Sequence, residues 1–258
     1  MIFLKDNICK FVNTKDIEIH CFDTLDSTNI TLRELATNNA KEGTVVIANH
    51  QKKGRGRFDR KFFSPTDSGI YMSILFRPNR PAFDTTLLTP AAAVSVALAI
   101  EKISGKKAEI KWVNDVLINK KKVCGILTEG VIDPKTNTLK FVILGIGINA
   151  FTPKNGFNEE IKNIAGAVFD HNSEELKSKL TAQVIDNIFE FYNNFEMDKI
   201  LDNYRKRSAV LGKEITVIKG DKNFIATALS IDNNCRLLVE YPDKTQELLS
   251  SGEISIKF

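Results

Sequence analysis

The sequence has few of the residues that hold structural metals or form disulfide bonds. Its 258 residues include four cysteines and three histidines. The cysteines lie far apart without a Cys-x-x-Cys pair, and the histidines lack the spacing of paired metal ligands. We therefore expect neither a zinc site nor a disulfide framework, and the spacing assigns no metal ligand.

Long hydrophobic runs are also missing. The most apolar stretch, residues 89–103, contains Ser95, Glu101 and Lys102, and it is shorter than the roughly 20 residues of a membrane-spanning helix. The first residues do not combine a basic start, an apolar run and a small-residue cleavage site. We therefore expect a cytoplasmic protein without membrane attachment.

Glycine and proline, with 14 and 7 residues, are too scarce for a collagen-like or low-complexity chain. Hydrophobic residues make up 43% and charged residues 26%, a balance typical of globular rather than disordered proteins. The net charge of +4 favours anionic partners only weakly. Residues 52–61 carry six basic side chains and one acidic side chain, so one segment supplies much of the positive excess.

Hydrophobic periodicity predicts mixed helices and strands through the first 210 residues. Because there are few strict βαβ units, we expect an α+β fold, with one sheet and its helices on one face. The predicted strands are residues 17–22, 43–48, 70–76, 109–112, 116–118, 123–132 and 139–148, the last two forming a hairpin around residues 133–137. One predicted helix begins at residues 27–29 and runs through Leu32, Leu35 and Ala36. The other predicted helices are residues 87–104, 173–195 and 198–207.

The pattern changes after Leu211 to short β-type runs separated by turn residues. Tightly spaced strands of this kind are typical of a small barrel, which is marginal alone and is expected to pack on the larger part. The predicted domains are therefore residues 1–210 and 211–258. The predicted C-terminal strands are residues 214–218, 224–231, 237–241, 247–249 and 254–258.

A long polar loop after the second predicted strand contains Gln51 and the sequence Gly54-Arg55-Gly56-Arg57. Glycines let a ligand approach the backbone closely, and guanidinium groups bind carboxylate or phosphate oxygens. The loop lacks the Gly-Lys-Ser/Thr of a phosphate loop and the third glycine of a dinucleotide fingerprint. It predicts anion binding. A solvated basic loop explains this segment equally well by itself, and a nucleic-acid patch is a weaker alternative.

Three further segments place polar side chains at strand ends or helix starts. Residues 111–115 (Lys-Trp-Val-Asn-Asp) form a predicted turn, and three lysines at 120–122 precede Gly125. An aspartate beside lysines suits a metal-bound nucleotide, whereas a plain hairpin turn with a solvated lysine face accounts for the same residues. Residues 145–149 (Gly-Ile-Gly-Ile-Asn) alone indicate close backbone packing, and residues 27–29 (Ser-Thr-Asn) alone indicate a helix cap.

Taken together and in order, these segments resemble the biotin protein ligases. The matches span nearly the whole chain, and seven ordered matches at compatible spacings are far more specific than any one of them. They are Asp26-Ser27-Thr28-Asn29, Gln51 with Gly54-Arg55-Gly56-Arg57, Phe63-Ser64-Pro65, Lys111-Trp112-x-Asn114-Asp115, Lys122 with Gly125-Ile126-Leu127, Gly145-Ile146-Gly147-Ile148-Asn149, and Ser251-Gly252-Glu253.

The resemblance implies an α+β fold with a mixed-sheet catalytic domain and a small SH3-like C-terminal β-barrel. It implies that biotin and Mg-ATP react to biotinyl-5′-AMP and pyrophosphate, and that biotin then passes to a lysine of a biotin carboxyl carrier protein. The implied biotin-binding residues are Ser27, Thr28, Asn29, Gln51, Arg55, Gly56, Arg57, Lys122 and Gly125. The implied ATP-binding residues are Arg55, Arg57, Lys111, Asn114, Asp115 and Asn149. The implied catalytic residues are Arg55, Arg57, Lys111, Asp115 and Lys122.

The resemblance also implies a loop that closes over the adenylate and protects it from water, namely the glycine-rich loop around Arg55 and Arg57. Residues 151–160 are expected to form a second loop over the adenine. The sequence departs from the family pattern at Val113, where proline is usual, and at Asp59, where a small residue is usual. Neither change removes a residue assigned to chemistry.

Two other functions and two further properties remain to be weighed for this chain. A lipoate or octanoate–protein ligase shares this fold and chemistry, although the Gly-Arg-Gly-Arg and Lys-Trp-x-Asn-Asp motifs favour biotin. An anion- or nucleic-acid-binding module leaves the ordered motifs unexplained. Because the Ser-Thr-Asn motif already begins at residue 27, we expect no N-terminal DNA-binding domain and no operator binding. The family includes monomers and homodimers, and the sequence leaves this choice open.

Overall fold

The computed structural model describes residues 5–78, 87–133, 138–194 and 196–256. Its helices are α1 (Lys5–Cys9), α2 (Thr28–Thr37), α3 (Leu88–Ser104), α4 (Glu174–Asn194) and α5 (Met197–Lys206), with a short 3-10 turn at Arg57–Asp59. Its strands are β1 (Glu18–Leu25), β2 (Thr44–Gln51), β3 (Gly69–Phe76), β4 (Glu109–Lys111), β5 (Asp115–Ile118), β6 (Lys121–Ile132), β7 (Leu139–Asn149), β8 (Glu214–Lys219), β9 (Lys222–Ile231), β10 (Leu237–Glu240), β11 (Gln246–Leu249) and β12 (Glu253–Ser255). No helix in these ranges is long and apolar enough to cross a membrane.

Seven strands form a mixed sheet in the order β1-β2-β3-β7-β6-β5-β4. Strands β1 and β2 are parallel and are joined through α2, while the other neighbours are antiparallel. The long strands β6 and β7 form the predicted hairpin, with Gly125 opposite Gly147. Residues 134–137 of its predicted turn lie outside the described residues. The predicted mixed sheet is confirmed.

Alternation along the strands divides the core between the two faces of this sheet. Val45 and Ile47 of β2 belong to the large core shared with α3, α4 and α5, whereas Val46 packs with Leu32 and Ala36 of α2. The prediction that the helices lie on one face is therefore wrong. Helix α2 connects two parallel neighbouring strands, so it must cross one face of the sheet, and the longer helices cover the opposite face.

The C-terminal strands form a second, antiparallel sheet in the order β11-β10-β9-β8-β12. Alternate residues of β8 and β9, including Ile215, Val217, Ala226 and Ala228, are buried, as a sheet with one core face requires. The predicted change to antiparallel β-structure is confirmed. The last strand ends at Ser255, and the remainder of its predicted range includes residues 257–258, which lie outside the described part.

The C-terminal sheet packs on the turn between β4 and β5. The indole N–H of Trp112 donates a hydrogen bond to the carbonyl oxygen of Cys235 at 2.9 Å. The hydroxyl of Tyr204 on α5 donates to the carbonyl oxygen of Val113 at 3.0 Å. Trp112 is almost completely buried. Both sheets and α5 therefore meet at residues 111–115.

Candidate active site

A cavity of about 540 Å³ lies between the α2 face of the seven-stranded sheet, the C-terminal sheet and residues 54–62, here called the glycine loop. Every residue that the sequence predicts for the site lines this cavity. The structure thus brings them together from widely separated segments, while the ligand that each one contacts stays a prediction. They are Ser27, Thr28, Asn29, Gln51, Arg55, Gly56, Arg57, Lys111, Asn114, Asp115, Lys122, Gly125 and Asn149.

Positive charge dominates the cavity wall. The described residues contribute seven cationic side chains and two carboxylates to the lining. Such an excess in a cleft concentrates the field and attracts anions. The cations are Arg55, Arg57, Arg60, Lys61, Lys111, Lys120 and Lys122, and the carboxylates are Asp115 and Glu253.

Neutral polar groups gather where α2 begins, beside the end of β2. The backbone N–H of Thr28 donates to Gln51 Oε1 at 2.9 Å, and Gln51 Nε2 donates to the hydroxyl of Ser64 at 3.0 Å. Ser27 occupies the N-cap position, but its side chain makes no capping hydrogen bond. Gln51, at the end of β2, therefore accepts the hydrogen bond from the Thr28 N–H at the start of α2, and the expected capping bond from residues 27–29 is not made.

The Asn29 side chain is held at both ends of its amide. Its Oδ1 lies 2.6 Å from the hydroxyl of the buried Ser73, which donates to it, and its Nδ2 donates to Glu129 Oε2 at 2.7 Å. A Cβ atom at Gly145 would lie 2.2 Å from Asn29 Oδ1, and one at Gly147 would lie 2.4 Å from the Phe62 ring. The close packing predicted for residues 145–149 is confirmed at both glycines.

The glycine loop folds as a tight hairpin over the cavity. Gly56 N donates to Arg60 O at 2.7 Å, and Phe62 N donates to Gly54 O at 2.9 Å. A Cβ atom at Gly54 would lie 2.4 Å from the carbonyl oxygen of Phe62. The glycine is therefore needed for close approach between the two sides of the hairpin, and the turn itself places Phe58 at φ +55°.

The arginines of the loop point to different partners. Arg55 Nη1 donates to Glu129 Oε1 at 3.3 Å, and Arg57 Nη1 donates to Asn114 Oδ1 at 3.1 Å. Burial lowers the pKa of Arg57, against the opposing effect of nearby acids, but a guanidinium stays charged at neutral pH. The loop therefore contacts β6 through Arg55 and the β4–β5 turn through Arg57.

Lys111 and Asp115 stand opposite each other across the turn between β4 and β5. Asp115 Oδ1 forms an ion pair with Lys122 Nζ at 2.7 Å, and the backbone of Asp115 pairs with Gly125 on β6. Burial lowers the pKa of Lys111, and the carboxylate of Asp115 opposes that shift. The Trp112–Val113 peptide is cis. The carboxylate of Asp115 thus has one lysine opposite it on β4, Lys111, and a second paired with it from β6, Lys122.

Asn149 ends β7 and ties the strand to the segment that follows. Its Nδ2 donates to the carbonyl oxygen of Gly166 at 3.1 Å, and Lys122 N donates to Ile164 O at 2.7 Å. The cavity is lined by Ile161, Asn163, Ile164 and Ala165. These residues lie just beyond the range 151–160 for which we expected a second loop over the site.

Sequence reasoning missed residues that support the site from behind or from the side. Glu129 contacts Asn29 and Arg55, and Arg60 makes two hydrogen bonds of 2.6 Å to Glu253. An acid on the largely apolar strand β6 is a signal that could have singled out Glu129. Nothing in the local pattern of Ser73 distinguishes it from an ordinary strand serine.

The chain matches two family descriptions. Residues 21–149 match the biotin/lipoate A/B protein ligase family, and residues 210–257 match the biotin protein ligase C-terminal domain. The chain is 36% identical over 235 residues to the bifunctional ligase/repressor BirA of Bacillus subtilis, covering 89% of this chain and 71% of that protein. It is 29% identical to the biotin–[acetyl-CoA-carboxylase] ligase of Mycobacterium tuberculosis, covering 88% and 85%.

A solved structure has the same architecture. The biotin protein ligase of Aquifex aeolicus in complex with biotin and ATP has a TM-score of 0.73, 27% sequence identity, and coverage of 92% of this chain and 97% of that chain. The fold and the cationic cavity, with these matches, define a carboxylate-activating protein ligase, and the chain belongs to the biotin/lipoate A/B protein ligase family. Within that family it is of the biotin type.

Proposed function

We propose that this chain activates biotin with ATP to biotinyl-5′-AMP and transfers the biotin to a lysine of a biotin carboxyl carrier protein. The observation that carries the proposal is one cavity with seven cations against two carboxylates, which also contains the neutral polar cluster at Asn29. The cations suit a carboxylate and a triphosphate. The neutral cluster suits the ureido group of biotin, which needs hydrogen-bond partners rather than charges.

In the first step, a carboxylate oxygen of biotin attacks the α-phosphorus of ATP, and the bond from that phosphorus to the bridging oxygen of pyrophosphate breaks. The two reactants are both anions, so their approach requires positioned cations. We propose that Lys122 holds the biotin carboxylate, while Arg55, Arg57 and Lys111 offset charge on the phosphates. Asn114 and Asn149 are proposed to orient the nucleotide.

In the second step, the neutral amine of the acceptor lysine attacks the carbonyl carbon of the mixed anhydride, AMP leaves, and the new amide nitrogen loses a proton. Until the acceptor arrives, the anhydride must be kept from water. The glycine loop, placed over the cavity with Arg57 on Asn114, is the segment that we propose excludes water.

Mg²⁺ is proposed to enter with the nucleotide. This ion is commonly held by one or two carboxylates together with substrate phosphates rather than by a complete protein cage. The described residues contain no group of three or more His, Cys, Asp or Glu side chains arranged for a metal. Of the two carboxylates in the described lining, we propose Asp115 for this role, because both oxygens of Glu253 already accept hydrogen bonds from Arg60. The ion would supply further charge neutralisation on the phosphates.

Biotin-dependent exchange of pyrophosphate into ATP tests the first step, and label transfer to a carboxyl carrier domain tests the second. We expect both with biotin and neither with lipoate or octanoate, because a dithiolane or alkyl chain offers no partners for Asn29, Thr28 and Gln51. Exchange that depends on lipoate or octanoate would support the lipoate-type alternative. Absence of exchange with all three acids would overturn the proposal.

The choice between monomer and homodimer is the one that the sequence leaves open, and the lack of operator binding stays a prediction. Strands β1 and β4 end the seven-stranded sheet. The outer edge of β4 is occupied, because Ile110 N donates to Arg207 O and Ile110 O accepts from Ala209 N. An interface through a sheet edge would therefore use β1. The molar mass measured by light scattering with and without biotin and ATP decides between monomer and dimer. A salt-resistant, sequence-specific shift of operator DNA would contradict the predicted lack of DNA binding.

A further inference from the structure

Glu129 is a carboxylate whose position the proposed chemistry leaves unexplained. It lies on β6 with a side chain that is only 16% exposed. It stands behind the cavity wall, next to Asn29 and Arg55, which both line the cavity. A carboxylate withdrawn from water is costly unless charged or polar donors surround it. Its neighbours therefore indicate what it does.

Two kinds of donor meet at this carboxylate. Oε2 accepts a hydrogen bond from Asn29 Nδ2 at 2.7 Å, while Oε1 accepts from Arg55 Nη1 at 3.3 Å and from Arg33 Nη2 at 3.2 Å. Arg55 belongs to the glycine loop and Arg33 to α2. One carboxylate thus joins the start of α2 to the loop.

The carboxylate also sets which way the Asn29 amide faces. An ionised carboxylate only accepts hydrogen bonds, so it requires the NH₂ end of Asn29, and the oxygen end is left for the hydroxyl of Ser73 at 2.6 Å. A neutral glutamine at position 129 could accept or donate, and the preference would be lost. Glu129 therefore fixes the pattern of donors and acceptors that Asn29 presents to the cavity.

Hydrogen bonds from the same cluster reach the other side of the loop hairpin. Ser73 Oγ lies 2.8 Å from Thr28 Oγ1. The backbone N–H of Thr28 donates to Gln51 Oε1, and Gln51 Nε2 donates to the hydroxyl of Ser64. The hydroxyl of Ser64 in turn donates to the carbonyl oxygen of Phe62 at 2.9 Å. The polar cluster thus contacts the loop through Arg55 on one side and Phe62 on the other.

We infer that Glu129 is a positioning residue that couples recognition of the ligand at Asn29 to closure of the glycine loop through Arg55. This inference rests on the proposed function for the identity of the ligand as biotin. A ligand bound to Asn29 restricts its amide, and the amide holds the carboxylate that Arg55 binds. Without the carboxylate, Arg55 loses its charged anchor on the sheet and keeps only the longer ion pair to Asp59 within the loop, at 4.0 Å, and Asn29 loses its preferred orientation.

Limited trypsin digestion of the ligand-free protein tests the loop contact, because the glycine loop contains Arg55, Arg57, Arg60 and Lys61. We expect Glu129→Gln to be cut there several-fold faster than the wild type. Arg33→Gln is the matched control, since it removes the other guanidinium from the same carboxylate without touching the loop, and its cleavage rate should not change. An unchanged rate in Glu129→Gln would overturn the inference.

Pyrophosphate exchange tests the coupling to the ligand. We expect Glu129→Gln to raise the KM for biotin on the order of tenfold, the effect of losing a charge-assisted hydrogen bond, with a much smaller change in kcat. In an Asn29→Ala background the same substitution should have little further effect on KM, because the two residues act together. Full additivity of the two substitutions would contradict the coupling.

Circular dichroism first establishes that each variant is folded. Should Glu129→Gln not fold, Glu129→Asp replaces it, since the shorter side chain keeps the charge but cannot reach both partners, and the same directions are expected. Failure of the proposed function would be recognised separately, as a wild type without biotin-dependent exchange. In that case the trypsin comparison alone decides whether Glu129 anchors the loop.

Discussion

At the scale of single residues, the cavity contains cations whose partial burial disfavours their charge, which is the charge that the proposed ligands require. Lys111 is the clearest case, because burial lowers its pKa and the facing Asp115 does not fully compensate. Asp115 is already paired with Lys122. A partly buried ammonium of this kind is typical of residues kept for function at the expense of stability.

We predict that Lys111→Met stabilises the ligand-free protein and nearly abolishes adenylation. A gain of about 1 kcal/mol would raise the melting temperature by about 2–4 °C in a chain of this size, while pyrophosphate exchange should fall by about 100-fold. A folded-state pKa below the unfolded one means that the charged lysine costs stability at neutral pH. This cost is complete below the lowered pKa, shrinks as the pH rises above it, and is gone once the pH passes the ordinary pKa of an unfolded lysine.

Thermal melts between pH 7 and pH 10 therefore check the sign. The difference between Lys111→Met and the wild type should be largest at neutral pH and should shrink as the pH rises. Lys107→Met, at an exposed position, is the control and should change the melting temperature little at any pH. A Lys111→Met variant that is less stable than the wild type at pH 7 would show that the Asp115 contact outweighs burial.

The 13 lining residues that carry a predicted role could be identified from the sequence because each belongs to a segment with an ordered match. Their supporting contacts could not. Asn29 and Glu129 are joined across a helix start and a strand 100 positions away, and no local periodicity records such a pair. Ser73 likewise matters only because β3 places it under Asn29. Contacts of this kind become visible when the topology is known.

At the scale of elements, the strands were predicted well because their period of two residues is a local property. The placement of α2 was not, since the face that a helix covers depends on which strands pair and in which direction. The parallel pairing of β1 with β2 decides it, and it also delivers Thr28 next to Gln51. The site is thus a consequence of one parallel pair in a sheet that is otherwise antiparallel.

The glycine loop and the C-terminal sheet are joined by the Arg60–Glu253 ion pair, with both contacts at 2.6 Å. We predict that Arg60→Glu and Glu253→Arg each speed the release of biotinyl-5′-AMP by about five- to tenfold. This is the range for a partly exposed bidentate pair, since the arginine side chain is 64% exposed. The double exchange should restore most of the retention, because the charges again attract.

Adenylate release measured by a chase with unlabelled biotin and ATP distinguishes the variants. The control is the exposed Lys53–Asp26 pair at the base of the loop, with a contact of 2.8 Å, whose exchange leaves the C-terminal sheet untouched and should not alter release. If the double exchange at positions 60 and 253 retains the adenylate no better than the single variants, the pair does not hold the loop closed.

At the scale of the whole molecule, the two sheets share the cavity rather than standing as separate units. The C-terminal sheet contributes Ile218 and Glu253 to the lining, and the turn before β10 contacts Trp112 of the β4–β5 turn through Cys235. Arg205 on α5 also donates to the carbonyl oxygen of Ile231 at 2.9 Å. We propose that residues 1–210 and 211–258 are two structural domains whose contacts stabilise each other.

This sharing predicts a single unfolding transition. Trp112, the one tryptophan of the sequence, is buried at the contact with Cys235, so its emission reports separation of the C-terminal sheet. Far-UV circular dichroism is governed by the helices α3 to α5. A sheet of under 50 residues is marginal alone, so we expect emission and ellipticity to change at the same urea concentration. An emission change at clearly lower urea would mean that the C-terminal sheet detaches first and that the cavity opens before the seven-stranded sheet unfolds.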